Sequence, residues 1–403
     1  MSGGSTAAKA IALSIGPAVG IGLARFGYAV LLPAMRTDLG WSYTQAGGMN
    51  TANALGYLAG ALVAAPLAAR MGAGGAFRRA ILGTAATMLL SGATASFVPL
   101  LILRVLAGVG GAVALITGAT LAARLVTGER QTAGVVVIGL YFGGVGMGIL
   151  VMGLGLPVLL DATPSAWRHV WVGMGVLSLL VFGPASRVSR AVPSWPGRSG
   201  RTGRAPIVTA AMTPAVAAYF LFGLGYITYM TFVVAFLGEA AWTPWGVSGF
   251  WLVLGASTFV SGFAWPRLLP DAPTGRGLAI RLGVVAAGTA VPLLSSSVPG
   301  VLLSAVLFGG GFLSVVSSIT EIIRRGLEPR AWSASIAFFT VVFSVGQTLG
   351  PLVSGALADA AGGLSAGLWL SAAVLSLAVA IAVLQAEVGD VPETLQDRPG
   401  SPA

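Results

Sequence analysis

Twelve apolar stretches, each long enough to cross a bilayer, constrain this chain more than any other feature of it. They run over about 10–34, 46–69, 79–98, 100–123, 133–160, 168–186, 207–237, 247–269, 278–296, 299–320, 333–358 and 365–386, and one crossing takes roughly 20 apolar residues. A water-soluble fold lacks the polar surface it would need: 8% of the 403 residues are charged, against roughly 25% in a soluble globule. Gly, at 59 residues, and frequent Ala keep the spans small-faced, so helix backbones can approach closely where lipid supplies no hydrophobic drive between them. A transmembrane barrel would instead alternate over roughly ten-residue stretches. The expectation is an all-α membrane protein of twelve transmembrane helices. The first span holds Arg25 and runs past the length of a signal core, so it is read as a helix and not as a cleaved leader.

The basic residues set the expected orientation. With both termini cytoplasmic, eighteen of them fall on inner segments, among them Arg78, Arg79, Arg281, Arg324, Arg325 and the five arginines of 187–206, and only Arg36 and Arg168 on outer loops. This positive-inside bias predicts a multi-pass protein of the cytoplasmic membrane. It also accounts for the net charge of +10 without a nucleic-acid partner, since the charges are spread over successive loops and form no single patch. The organisation read from these breaks is a disordered tail at 1–8, a six-helix bundle over 9–186, a basic linker over 187–206, a second six-helix bundle over 207–386 and a disordered acidic tail at 387–403.

Whole classes of chemistry are excluded by what is missing. The chain has no Cys and one His, His169, so disulfides, thiolate sites and histidine metal clusters are out of reach. No Gly-x-Gly pair completes a dinucleotide fingerprint, and no phosphate-binding loop or zinc-protease motif is present. The reading is of a protein that is not an enzyme and carries neither cofactor nor metal.

The two halves resemble each other at an offset near 200: Gly20, Gly22 and Arg25 align with Gly223, Gly225 and Thr228, Gly108 with Gly309, and Gly148 with Gly346. Duplicated six-helix halves are a transporter architecture with the substrate site near the midplane. Arg104-x-x-x-Gly108-x-Gly110 opening the fourth span, and Trp167-Arg168 leading into the sixth, resemble motifs of the major facilitator superfamily. Gly22-x-x-Arg25-Phe26-x-Tyr28, Asn53-x-x-Gly56-Tyr57, Gly225-Tyr226-x-x-x-x-Thr231-Phe232 and Gly346-Gln347-x-x-Gly350-Pro351 look more narrowly like its YbfB/YjiJ branch. The resemblance covers about 10–386 and implies two pseudo-symmetric bundles, with spans 1, 4, 7 and 10 around the substrate. One departure matters. The acidic signature after the second span appears as Ala65-Pro66-Leu67-Ala68-Ala69-Arg70-Met71-Gly72 without its Asp, while a closer match, Gly355-Ala356-Leu357-Ala358-Asp359, follows the eleventh span on the outer side.

An ionised side chain within lipid is expensive and marks a functional candidate. Arg25 lies eight residues before Pro33, about 12 Å along a helix, which places it near the midplane. Arg104 sits about one turn inside the outer end of its span, where snorkelling is feasible, and the resemblance implies coupling or gating. Asn50, Asn53 and Tyr57 share one face of the second span, the asparagines equally suited to interhelical hydrogen bonding. Tyr226 and Thr228 in span 7, ahead of Tyr229 and Thr231, and Gln347 in span 11 complete the expected substrate site. Ser314, Ser317 and Ser318 are weaker candidates. No carboxylate falls near midplane, and Glu321 is assigned to gating or a local ion pair with Arg324 and Arg325. Two arginines without an acid call for an anion, so the leading expectation is a monomeric secondary transporter of a small organic anion, with protons as candidate partners. Proton-driven efflux of lipophilic drugs and a transport-dead receptor or scaffold are the alternatives.

Overall fold

The computed structural model describes residues 3–126, 131–192, 208–269 and 274–386, and among the described residues every regular element is helical. α1 is one rod made of Gly3–Pro17, a π-helical stretch Ala18–Phe26 and Gly27–Leu39. The first half continues with α2 (Tyr43–Met71), α3 (Ala73–Gly92), α4 (Phe97–Arg124), α5 (Gln131–Gly153) and α6 (Trp167–Leu180, running on as Phe182–Ala191). The second half holds α7 (Thr213–Glu239), α8 (Pro244–Leu268), α9 (Thr274–Leu294), α10 (Val298–Gly326), α11 (Pro329–Ala361) and α12 (Leu364–Val383). Eleven of the rods have the length and apolarity of a membrane span. The remaining one, α3, is diluted by Arg78 and Arg79 in its second turn.

Three boundaries differ from the sequence reading. Helix begins at Gly3, inside the expected 1–8 tail. α3 starts at Ala73 and not near 79, because Gly72, at φ 73 and ψ 151, turns the chain directly from α2 into α3. Its arginines are held at that end, Arg78 donating to Ser189 Oγ at 3.3 Å and Arg79 resting on Met71 Sδ at 3.3 Å. Arg187 and Arg190, expected in the linker, sit on the helical extension of α6. Residues 193–206 of the linker, residue 207 and the 387–403 tail lie outside the described residues.

The repeat found in the sequence is a repeat of packing. Gly108 of α4 is pressed against the backbone of α2 at Asn53 and Tyr57, and its counterpart Gly309 of α10 against the backbone of α8 at Leu254. Gly148 of α5 meets Gly22 of α1, and Gly346 of α11 meets Phe220 and Leu224 of α7. Any side chain at these positions would collide with backbone, so glycine is what allows the contact. The halves meet along α5 and α8, where Gly146 lies against Gly255 and Phe259, and along α2 and α11. Large apolar residues such as Leu62, Val98, Leu154, Leu180 and Val260 remain exposed on the outside, as a lipid-facing surface requires.

Candidate functional site

Pro17 has no N–H to give to the preceding turn, and the register of α1 opens there into the wide π stretch. It closes at Gly27, whose N–H is shared between the carbonyls of Gly22 and Leu23. π segments are rare and concentrate at functional sites. This one presents Arg25, which is 3% exposed. Its guanidinium carbon lies 5.0 Å from the Tyr57 ring centroid, and among the described residues neither its Nε nor its Nη2 has a hydrogen-bond partner.

Arg104 of α4 is equally buried, at 3%, so the outward snorkelling open to its position is not the course it takes. Its Nη1 donates to the Ala24 carbonyl of the π stretch at 2.6 Å, and its guanidinium lies over the rings of Tyr28 and Trp171 at 5.2 and 5.3 Å. A backbone acceptor and two ring faces thus hold it inside the bundle. Its Nε and Nη2 also lack partners among the described residues. The two guanidiniums are within electrostatic reach of each other. Asn53 donates to the Arg104 carbonyl at 3.1 Å, and its Oδ1 has no partner among the described residues.

The second half supplies a ring cluster with one amide. Gln347 of α11 donates to the Tyr226 hydroxyl of α7, while its Oε1 has no partner among the described residues. The Tyr226 ring stacks near Phe222, Phe343 and Phe312 at 4.9, 5.5 and 6.1 Å. Phe312 in turn meets Phe26 of α1 edge-on at 5.8 Å, linking the halves. Arg25 is within electrostatic reach of Tyr226. The structure therefore brings Arg25, Tyr57, Tyr226 and Gln347 together, with Arg104 and Asn53 beside them.

Other expected residues go elsewhere. Thr228 does not join the cluster: its hydroxyl is taken up by the Leu224 carbonyl at 2.9 Å and by Ser354 at 3.3 Å. Asn50 donates to Thr231 of α7 at 2.5 Å, a bond between the halves. Tyr229 pairs with Ser304 at 2.5 Å. Ser314 and Ser318 bond to their own helix, while Ser317 lines a shallow pocket with Thr320, Glu321, Arg324 and Arg325. Glu321 pairs with Arg325 at 2.6 Å and more loosely with Arg281 at 4.0 Å, whereas Arg324 lies over Trp332 at 5.0 Å.

Two features escape the sequence reading. Arg281, counted there among the inner-segment charges, is 6% exposed inside α9; it donates to Ser318 at 2.6 Å and lies 5.4 Å from the Trp265 ring. The other is a latch between the halves. Asp359 of α11 accepts from Tyr43 N–H and Thr44 N–H, both at 2.8 Å, and from the Thr44 hydroxyl at 2.6 Å. Glu239 at the end of α7 accepts from the Tyr43 hydroxyl at 2.5 Å and from Leu364 N–H at 3.2 Å, and Arg36 covers the Tyr43 ring at 3.8 Å. Carboxylates are favoured at a helix N-terminus, and the Gly355-to-Asp359 motif is the signal that points to this one.

Comparison with known proteins agrees with this architecture. Residues 17–383 match the family described as an uncharacterised MFS-type transporter, YbfB. A chloramphenicol resistance protein of Streptomyces lividans is 25% identical, over 90% of this chain and 92% of its own. The inner membrane transport protein YdhP of Escherichia coli is 26% identical, over 96% and 97%. Among solved structures, an inward-facing, unoccupied bacterial homologue of the human lysosomal transporter Spinster superposes with a TM-score of 0.70 at 18% identity, covering 100% of both chains. The nucleoside transporter NupG superposes with a TM-score of 0.68 at 12% identity, covering 92% of this chain and 97% of that one.

Proposed function

Because this chain belongs to the major facilitator superfamily, in its YbfB-type family, we propose that it moves a small organic anion across the membrane by alternating access, with Arg25 as the anion's anchor. The observation that carries the reading is the state of Arg25: a guanidinium 3% exposed whose Nε and Nη2 have no partner among the described residues. A charge taken out of water needs a counter-charge. A second guanidinium, Arg104, lies within its field, and every described Asp and Glu sits near the end of a rod. A substrate carboxylate supplies what the protein withholds, and Arg grips it with two parallel hydrogen bonds.

Alternating access also gives the latch a purpose. The Asp359 and Glu239 bonds to α2 close one end of the molecule and release when that end opens. With no acid beside Arg25, a coupling proton travels on the substrate's own carboxylate. The protein acts as a monomer in the cytoplasmic membrane, both termini inside. Counterflow of a radiolabelled organic-acid panel in proteoliposomes tests this: saturable exchange of one or more carboxylates supports it, and exchange of neutral solutes alone contradicts it.

A second reading, efflux of lipophilic drugs, is favoured by the resemblance to a chloramphenicol resistance protein and by the ring cluster around Tyr226. The two readings part at Arg25. Drug export tolerates Arg25→Ala, and carriage of a carboxylate does not.

A further inference from the structure

Unanswered donors and unanswered acceptors are buried together at the centre of this protein. The donors are Nε and Nη2 of Arg25 and of Arg104; the acceptors are Oδ1 of Asn53 and Oε1 of Gln347, all without partners among the described residues. Their side chains are at most 3% exposed. Buried polar atoms in folded proteins almost always have a partner, and each exception calls for an explanation. A carboxylate answers the arginines, but it brings no proton to the acceptors.

Gln347 is the acceptor best placed to meet a substrate. Its amide nitrogen is already committed to the Tyr226 hydroxyl, and Tyr226 is within electrostatic reach of Arg25 on the opposite half. Phe312 touches both Phe26 of the first half and Tyr226, and Phe343 stacks on Tyr226, a set of rings suited to an aromatic body in edge or offset contact. The free oxygen is neutral. It suits a hydroxyl better than an ammonium, because a buried ammonium calls for an acid, and the described acids lie at the rod ends.

We infer that Gln347 determines specificity at this site: Arg25 takes a carboxylate, the rings around Tyr226 take an aromatic body, and Gln347 Oε1 accepts a hydrogen bond from a hydroxyl at the far end. The substrate class is a hydroxyl-bearing aromatic carboxylate. This rests on the anion reading of Arg25. Recognition through a buried acceptor discriminates strongly, because an analogue without the hydroxyl leaves that acceptor unpaired.

The test is calorimetric titration of the purified full chain with two pairs of probes, benzoate with 4-hydroxybenzoate and phenylacetate with 4-hydroxyphenylacetate. In at least one pair the hydroxylated member binds tighter by about tenfold or more. In Gln347→Leu that pair comes within about twofold. Equal affinities within both pairs in the wild type overturn the role of Gln347 and leave the anion reading standing. Failure of all four to bind, while other carboxylates of the counterflow panel are exchanged, overturns the aromatic assignment and leaves the anion reading standing. The wild-type comparison needs no variant, so it decides the matter even where Gln347→Leu does not fold.

Discussion

Asp359 and Thr44, separated by 315 positions in sequence, are joined by two hydrogen bonds, one from the Thr44 N–H at 2.8 Å and one from its hydroxyl at 2.6 Å. The first belongs to the last turn of α11 and the second to the first turn of α2, so one carboxylate takes up free N–H groups at the start of a helix in the other half of the molecule, beside that helix's own Ser42 cap.

Removing that carboxylate loosens one end. A hydrogen bond to a charged group is worth roughly 1.5–3 kcal/mol, less at an exposed site. Asp359→Ala therefore raises the labelling rate of a cysteine placed at Met49, which is fully buried on α2, by several-fold. The chain has no native Cys, so the reading is clean. An unchanged rate contradicts the latch.

The packing of α4 on α2 has its own test at Gly108, where a side chain would run into the Asn53 carbonyl and the Tyr57 nitrogen. Gly108→Leu lowers stability by about 1–3 kcal/mol or more, read as a fall in thermal midpoint in detergent. A variant as stable as the wild type would show that the two backbones do not meet there.

Glu321 is tied up locally by Arg325 at 2.6 Å. Glu321→Gln should slow turnover at most several-fold and leave proton-driven uptake in place. Abolished uptake with exchange preserved would make Glu321 the coupling acid.

Orientation follows from charge. A cysteine introduced within 195–203 is labelled by a membrane-impermeant reagent only once the inner face is opened, and labelling on intact cells reverses the topology.

Much of this architecture is legible in the chain because lipid leaves few options: apolar stretches of about 20 residues become rods, and glycines repeated near 200 positions apart become matching contacts. Arg25 stands out for the same reason, as an ion in an apolar stretch. Residues at the ends of rods are harder to read. Arg281 looks like an inner-segment charge until the helix around it is seen to begin at Thr274. Glu239 looks like an ordinary terminal carboxylate, since pairing across 196 positions leaves no local pattern, and for Asp359 the Gly355-to-Asp359 motif marks the residue but not its partner 315 positions away. Thr228 aligns with Arg25 in the repeat, but its hydroxyl satisfies itself on the preceding turn, as a guanidinium cannot.

Arg25 is 3% exposed within the first rod, and a charge at the centre of a membrane span costs about 3 kcal/mol. Equilibrium binding of the best carboxylate from the counterflow panel to purified wild type, Arg25→Lys and Arg25→Ala tests its role as the anion's anchor most directly, with thermal stability measured in parallel. The predicted result is three folded proteins, binding weakened in the Lys variant, where a point charge replaces the planar fork, and nearly abolished in the Ala variant. A stable Arg25→Ala that binds the same carboxylate with wild-type affinity would contradict it.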